Sequence, residues 1–460
     1  MSNDSPEQMA QAVIDACSDC DVCRYLMEHT PCMFFPELYR LYDRETAQKQ
    51  KPTPRELRQL VDLCNFCGLC PCPNIRSDIM KAKHAFISRD GLKPAIRLLE
   101  DVARVAGVCG AYPRLANLLF KSHPAGSVIK RLTGIHAERK IHAFPQESFP
   151  QWMQKRFAPS RESAKGRKVA YFAGCTAQYL FPEVPQAVVE VLERNGVEVY
   201  FPEQKCCGMP SLLEGDGPLT LDFARFNADR LAEAVDAGYD ILCSCPTCGF
   251  MLKDVLGEGA CYADAYRQSI SRGGSCWANY QAGVRTVRRQ WSFPSNTIFE
   301  DLFKDEGYFS SIDAVKRMKV AARTFDLGEY LWSLHCKGEL SSNFGRVPAR
   351  MVYYPPCHLR EQKIGRPFFD LLRLVPGATL DKIDGPFYCC GIAGIMGFKQ
   401  DFHDVSVAMG SRLMEKVKAL DPERLVSDCL SCRIQFNQLV PHKVFHPVEI
   451  LRESYASFET

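Results

Sequence analysis

Two stretches of the chain alternate short apolar runs with amphipathic ones, in the same order. In the first, KVAYFAGC reads as a buried strand ending at Cys175. Val184, Ala187, Val188, Val191 and Leu192 then recur at helical spacing up to Gly196, a helix stop. VEVYF predicts a second strand, Pro218 opens a long helix through Leu219, Phe223, Phe226 and Leu231, and YDILC predicts a third strand. The second stretch answers with RMVYYPPC, a short helix through Phe368 and Leu372, a helix over 405–420 and the strand RLVSDC. Strands alternating with helices predict parallel α/β units, which bind ligands beyond the carboxyl ends of their strands. Upstream, 36–46 and 54–63 read as helices, the second capped by Thr53, and 73–165 reads as helical and connective. The expected division is 1–110, a helical module; 111–165, a helical connector; 166–260, the first α/β domain; 261–348, a Gly-, Ser- and aromatic-containing connector; and 349–460, the second α/β domain.

The chain has 460 residues, 46% hydrophobic and 24% charged, with 57 Lys and Arg against 54 Asp and Glu. That balance excludes a disordered chain and a strongly basic nucleic-acid binder. The longest apolar stretch, 102–120, is interrupted by Arg104, Pro113, Arg114 and two glycines, so no spanning helix is expected. No secretory signal is visible at the N-terminus, and the expected location is the cytoplasm, where thiols stay reduced. Over 111–140, Arg114, Lys121, Lys130, Arg131, Arg139 and Lys140 face a single acid, Glu138, and are interleaved with apolar residues. This reads either as a docking surface for an anionic membrane or acidic partner, at the inner face of the membrane, or as a solvated helix face.

What changes the picture is 23 cysteines. An odd number in a reducing compartment favours metal ligation over disulfides. CSDCDVC sets Cys17, Cys20 and Cys23 at successive x2 spacings, and CNFCGLCPCP does the same with Cys64, Cys67 and Cys70, followed by Cys72. Three thiolates so spaced hold three corners of an iron–sulfur cubane, and with paired triplets the fourth ligand comes from the other motif. On that logic Cys72 joins Cys17, Cys20 and Cys23, and Cys32 joins Cys64, Cys67 and Cys70, giving two [4Fe–4S] clusters. Structural zinc is the alternative, but it favours two pairs rather than two triplets.

The second signal is a repeat. Cys175, the pair Cys206 and Cys207 before Gly208, and Cys245 and Cys248 recur as Cys357, the pair Cys389 and Cys390 before Gly391, and Cys429 and Cys432. Offsets of 182, 183, 183, 184 and 184 mark an internal duplication. Adjacent cysteines that both reach a metal draw the backbone close to it, and Gly208 and Gly391 relieve the crowding by tolerating positive φ. CPTC and CLSC at helix starts set two sulfurs on one face, where the positive helix end favours thiolate. Five ligands per repeat leave open a cubane with one spare thiol in each copy, or one cluster shared between them. Cys109, Cys243, Cys261, Cys276 and Cys336 remain and read as buried small hydrophobes.

The triplet module resembles the helical two-cluster ferredoxin domain of succinate dehydrogenase iron–sulfur subunits and heterodisulfide reductase C subunits. Its gaps to Cys32 and Cys72 depart from the usual x3. The CCG repeats resemble heterodisulfide reductase B subunits, and the whole order is similar to the CCG-domain Fe–S oxidoreductase family that includes C subunits of anaerobic glycerol-3-phosphate dehydrogenase. The resemblance implies an α+β and α/β multidomain chain, a ferredoxin module followed by two CCG domains. It also implies one or two further [4Fe–4S] clusters, cubane or non-cubane, on the five-cysteine sets. His358, next to Cys357, is a candidate proton donor.

No GxGxxG between strand and helix and no Walker lysine motif is found, so flavin or nicotinamide chemistry must come from a partner. The expected function is an iron–sulfur oxidoreductase subunit. It would take electrons from a flavoprotein or other redox partner through the ferredoxin-type clusters to the CCG domains, and on to a quinone or redox acceptor. A catalytic subunit reducing a disulfide at non-cubane clusters is the alternative, and a zinc-held scaffold the third reading.

Overall fold

The computed structural model describes residues 4–18, 21–27, 29–67, 70, 72–121, 123–156, 166–271, 307–385 and 387–459. Cys20 and Cys276 lie outside them. The N-terminal region is helical: α1 (Pro6–Ser18), α2 (Asp21–Met27), α3 (Phe34–Gln48), α4 (Pro54–Asp62) and α5 (Pro73–Asp90). Thr53 caps α4 as its sequence predicts, its Oγ1 accepting from Glu56 N at 3.3 Å while Thr53 N donates back to Glu56 Oε2 at 2.9 Å. Val13 and Ile14 of α1, Leu38 and Leu41 of α3, Leu57, Leu60 and Val61 of α4, and Ile79 and Phe86 of α5 are buried together. Side chains of that size stabilise by about 1.5–3 kcal/mol each when fully buried, which is what holds short helices that would not persist alone.

Four helices follow: α6 (Pro94–Glu100), α7 (Val102–Ala111), α8 (Pro113–Lys121) and α9 (His123–Leu132). Asp101 caps α7 by accepting from Arg104 N at 3.0 Å. Much of their apolar surface is uncovered: Val108, Tyr112, Leu115, Leu118, Val128 and Leu132 are all exposed. The chain is then tied down by an antiparallel bridge between Ile135 and Lys399.

Each cysteine repeat forms a four-stranded, all-parallel sheet. The first contains β1 (Arg167–Phe172), β2 (Val197–Tyr200), β3 (Asp240–Cys243) and β4 (Thr324–Asp326) in the order β2-β1-β3-β4. The second contains β5 (Ala349–Tyr353), β6 (Ala378–Lys382), β7 (Arg424–Val426) and β8 (Val444–Phe445) in the matching order β6-β5-β7-β8. The predicted strands and the helices Glu183–Arg194, Gly217–Asp236, Pro367–Leu372 and His403–Leu420 are all present. The strands β4, β6 and β8 were not anticipated, and β4 lies in the stretch read as connector. It pairs with β3 from Ile241 against Thr324 to Cys243 against Asp326, so part of that stretch completes the first sheet.

The two sheets are joined reciprocally. After β4, helix Leu327–Cys336 packs on Pro367–Leu372 of the second copy; after β8, helix Pro447–Glu459 packs on Glu183–Arg194 of the first. Leu331, Leu371, Val188 and Leu451 share one core with Tyr171, Leu242, Met351 and Leu425 from both sheets. The Asn195 side chain seals the crossing, accepting from Ser341 N at 2.7 Å and donating to Tyr455 Oη at 3.4 Å. A second core runs from the N-terminal helices into the first sheet's domain through Met209, Leu213, Phe223 and Phe250.

Candidate functional site

All ten repeat cysteines sit just beyond strand ends: Cys175 after β1, Cys206 and Cys207 after β2, Cys245 and Cys248 after β3, and Cys357, Cys389, Cys390, Cys429 and Cys432 likewise after β5, β6 and β7. Gly208 and Gly391 take φ of +91° and +85°, the left-handed region that lets the chain turn after each cysteine pair. Cys245 and Cys429 occupy the N-caps of helices Pro246–Phe250 and Leu430–Leu439. Nine of the ten are buried, and Cys357 is half-buried.

Their sulfurs form a continuous run. Cys175 and Cys206 are 3.4 Å apart. Cys206 then meets Cys207, Cys207 meets Cys248, and Cys248 meets Cys245. Cys245 meets Cys429 across the domain boundary, Cys429 meets Cys432, and Cys432 meets Cys390 beside Cys389. Neighbouring thiols share protons, so some ionise easily and others do not. Hydrogen bonding from Cys206, then Cys248, lowers Cys207 to about 6. Cys248, then Cys429, depresses Cys245, and Cys389, then Cys432, depresses Cys390. Such thiolates are the form that metals bind.

His358 stands where the three modules meet. Its Nδ1 is 2.9 Å from Thr247 Oγ1 in the first CPTC loop, and its Nε2 is 3.3 Å from Phe66 O between Cys64 and Cys67. Its ring stacks on Phe250 at 5.1 Å, and burial pushes its pKa below the ordinary histidine value. Thr247 was not singled out from the sequence; its place inside CPTC was the available signal. The ion pair Arg76–Glu361 at 2.8 Å and the bond from Gln362 Nε2 to Pro246 O at 3.0 Å brace the same junction.

Among the N-terminal cysteines, burial raises the pKa of Cys32 (to about 11), Cys64 and Cys70; nearby Cys64 adds to the rise of Cys32, and Cys64, Cys32 and Cys23 add to that of Cys70. Cys32 is thus beside Cys64 and Cys70, as the second expected ligand set requires, but Cys23 of the first set is there too. Cys17 is buried at the end of α1, Cys67 is half-buried, and Cys72 is exposed at the N-cap of α5. Cys32 and Cys67 share a narrow crevice with Cys357 and Cys389, closed by Asn65, Arg360 and Tyr388. Among the described leftover cysteines only Cys243 is the buried apolar residue expected; Cys109 is half-buried, and Cys261 and Cys336 are exposed.

A cavity of about 180 Å³ opens over the second set, reaching Cys175 of the first. Cys357, Cys389, Cys390, Cys429 and Cys432 form one wall; Val102, Val105 and Ala106 of α7 and Phe120 of α8 form the other. His142 also lines it, its pKa lowered to about 4 by burial and then by Arg433.

These features define a protein with two cysteine-rich CCG domains: the model of that family, the cysteine-rich domain, matches residues 169–253 and 351–437. The chain is homologous to components of oxidoreductase complexes. It is 23% identical over 373 residues to the C subunit of anaerobic glycerol-3-phosphate dehydrogenase from Escherichia coli K12, covering 80% of this chain and 79% of the relative. It is 22% identical over 451 residues to the B subunit of the CoM/CoB fumarate reductase from Methanothermobacter marburgensis, covering 91% and 77%. It is 27% identical over 288 residues to lactate utilization protein A of an Exiguobacterium strain, covering 62% and 94%. Among the described residues, no helix is long and apolar enough to cross a membrane.

Proposed function

We propose that the chain is the iron–sulfur subunit of an oxidoreductase complex, taking electrons from a flavoprotein or similar partner and passing them to a quinone or another redox acceptor. The observation that carries this reading is the unbroken run of sulfurs through both CCG domains, joined at Cys245 and Cys429. The donor set fits clusters better than zinc. A tetrahedral zinc holds its sulfurs about 3.8 Å apart, given bonds of about 2.3 Å. Among the described residues no three cysteine sulfurs lie within 4.8 Å of one another. Cys175, Cys206, Cys207, Cys245 and Cys248 would hold one cluster, and Cys357, Cys389, Cys390, Cys429 and Cys432 the other. The triplets with Cys32 and Cys72 would hold two [4Fe–4S] clusters. When bound, such clusters supply one-electron transfer.

The chain's own residues set the route. The crevice between Cys32, Cys67, Cys357 and Cys389 supports the second CCG set as the entry point from the N-terminal module, and the Cys245–Cys429 contact supports a link from it to the first. His358 bridges the CPTC loop and the CNFC loop through its two ring nitrogens, which supports a positioning role beside that of proton donor next to Cys357. The basic, apolar surface of α7 to α9 would rest on an anionic membrane, with the cavity opening behind it. A second reading, disulfide reduction, is favoured by that cavity, because cysteines of both copies line it.

Anaerobic purification with iron and acid-labile sulfide counts and paramagnetic-resonance spectra tests the reading. Zinc without sulfide would end both redox versions. Reduced protein assayed against quinone analogues and small disulfides separates them, and disulfide turnover lost in Cys206→Ser would favour the second.

A further inference from the structure

We propose that His136, Glu138 and His403 form a divalent-metal site, taking a borderline ion such as Zn²⁺, that clips the segment after α9 onto the second CCG domain. These residues bring three potential ligand atoms within 4.8 Å of one another, and no other set of His, Cys, Asp or Glu among the described residues does so. His403 is buried in the first turn of helix His403–Leu420. Its Nδ1 lies 3.0 Å from Gly397 O. A carbonyl only accepts, so Nδ1 carries the proton and Nε2 presents its lone pair. A backbone carbonyl fixing the tautomer in this way is the outer support found behind metal-binding histidines. Glu138 is exposed and makes no salt bridge among the described residues, so its carboxylate is available.

Two imidazoles and a carboxylate make a three-ligand set with a fourth place left open, and the all-nitrogen-and-oxygen chemistry suits Zn²⁺. Bonds of about 2.0–2.1 Å would put ligand atoms about 3.3–3.4 Å apart, so the set must close by up to about 1.5 Å. His403 is fixed, but the half-buried His136 ring and the exposed Glu138 side chain can move without the backbone. As they stand, the imidazoles are stacked, centroids 4.1 Å apart and planes within 9°, so their in-plane lone pairs do not converge. Turning the His136 ring out of the stack costs that contact and the long 3.4 Å bond from Glu138 N to Nδ1.

The location gives the ion a task. His136 N donates to Phe398 O at 2.9 Å, and Gln400 N donates to Gly134 O at 2.9 Å, on either side of the Ile135–Lys399 bridge. Ile135 and Phe398 line the cavity. A metal across His136 and His403 would lock this junction and fix the cavity rim on which α8 and α9 depend.

The test uses the full chain loaded with its clusters and titrated with Zn²⁺ against a competing chelator. Expected is one added zinc per chain, with nitrogen and oxygen neighbours by X-ray absorption. Affinity should fall by at least about tenfold in H403Q and in the surface variant E138Q, since loss even of an outer-shell partner costs 10–100-fold. Iron and sulfide contents should not change. Zinc should also slow amide exchange across 113–140 in the parent chain and not in E138Q. Zinc bound through sulfur, zinc retained by a His136→Gln/Glu138→Gln double variant, or no zinc held against a weak chelator overturns the proposal.

Discussion

The two CCG turns share a motif and a backbone conformation, yet they should respond very differently to one added methyl. Both glycines have positive φ, so alanine at either position costs about 1–2 kcal/mol in backbone strain. At Gly208 the new Cβ finds room: its nearest neighbour is Thr220 O at 3.6 Å. At Gly391 it overlaps Ser406 O and lies 2.9 Å from Gly410 N, both backbone atoms of helix His403–Leu420. Overpacking against backbone adds about 1–3 kcal/mol. Gly208→Ala should therefore cost about 1–2 kcal/mol and Gly391→Ala about 2–5 kcal/mol. The reason for the difference is one turn along the helix. Ser406 corresponds to Thr220, and four residues on, the second copy has Gly410 where the first has Ala224. The missing side chain lets the helix close on the turn, with Cys390 O 2.5 Å from where a Gly410 Cβ would be. This isolates the steric part: mid-helix Gly→Ala ordinarily stabilises by about 0.5–1 kcal/mol, whereas Gly410→Ala should destabilise. Amide exchange followed by mass spectrometry, comparing helix His403–Leu420 with helix Gly217–Asp236 in cluster-loaded protein, reads each domain separately. Equal losses in the two turn variants, or a more stable Gly410→Ala protein, would refute the reasoning.

Three other outcomes are expected. Burial, then Asp216 and Glu214 nearby, raises Glu100 from its ordinary 4.5 to about 9; the folded protein holds that proton where the unfolded chain has lost it, so stability should fall as pH rises from about 5 to 9. Glu100→Gln should flatten that slope and stabilise by about 2 kcal/mol at pH 7, and an unchanged slope in denaturation midpoints would contradict it. Lys399 and Glu214 form a buried ion pair at 2.9 Å, so Lys399→Met alone should cost about 3–5 kcal/mol, while adding Glu214→Met should restore most of it; equal losses from single and double variants would show that the pair is not coupled. Leu115 and Leu118 lie exposed on α8, so Leu115→Glu/Leu118→Glu should weaken binding to anionic vesicles about a hundredfold in sedimentation assays, and a parent chain that ignores such vesicles would remove the membrane from the picture.

Period and spacing carried much of the architecture because the information is local. An apolar run closed by a cysteine marked β1, β3, β5 and β7; the stripe from Val184 to Leu192 marked its helix; and Thr53 with Glu56 marked the start of α4. The strands β4, β6 and β8 escaped because TFD, ATLDK and VF carry no apolar run closed by a cysteine, the signal that marked even the three-residue β7, and they count as strands only through their parallel neighbours. The ten repeat cysteines were legible from order alone. Their neighbours across domains were not: nothing near Cys245 in the chain points to Cys429, and nothing near Cys67 points to Cys357 or Cys389.

What places Cys245 against Cys429 is the reciprocal exchange of helices. Helix Leu327–Cys336, which ends the first copy, is held by the second, and helix Pro447–Glu459, which ends the second, is held by the first. A contact repeated in both directions resists sliding, since any shift that relieves one crossing strains the other. The strand ends of the two sheets are therefore set by a single close-packed core rather than by the loops that carry the sulfurs. Any loosening of one crossing, for example by removing the Asn195 bonds to Ser341 and Tyr455, should be felt about equally by both cysteine sets, although Asn195 belongs to only one of them.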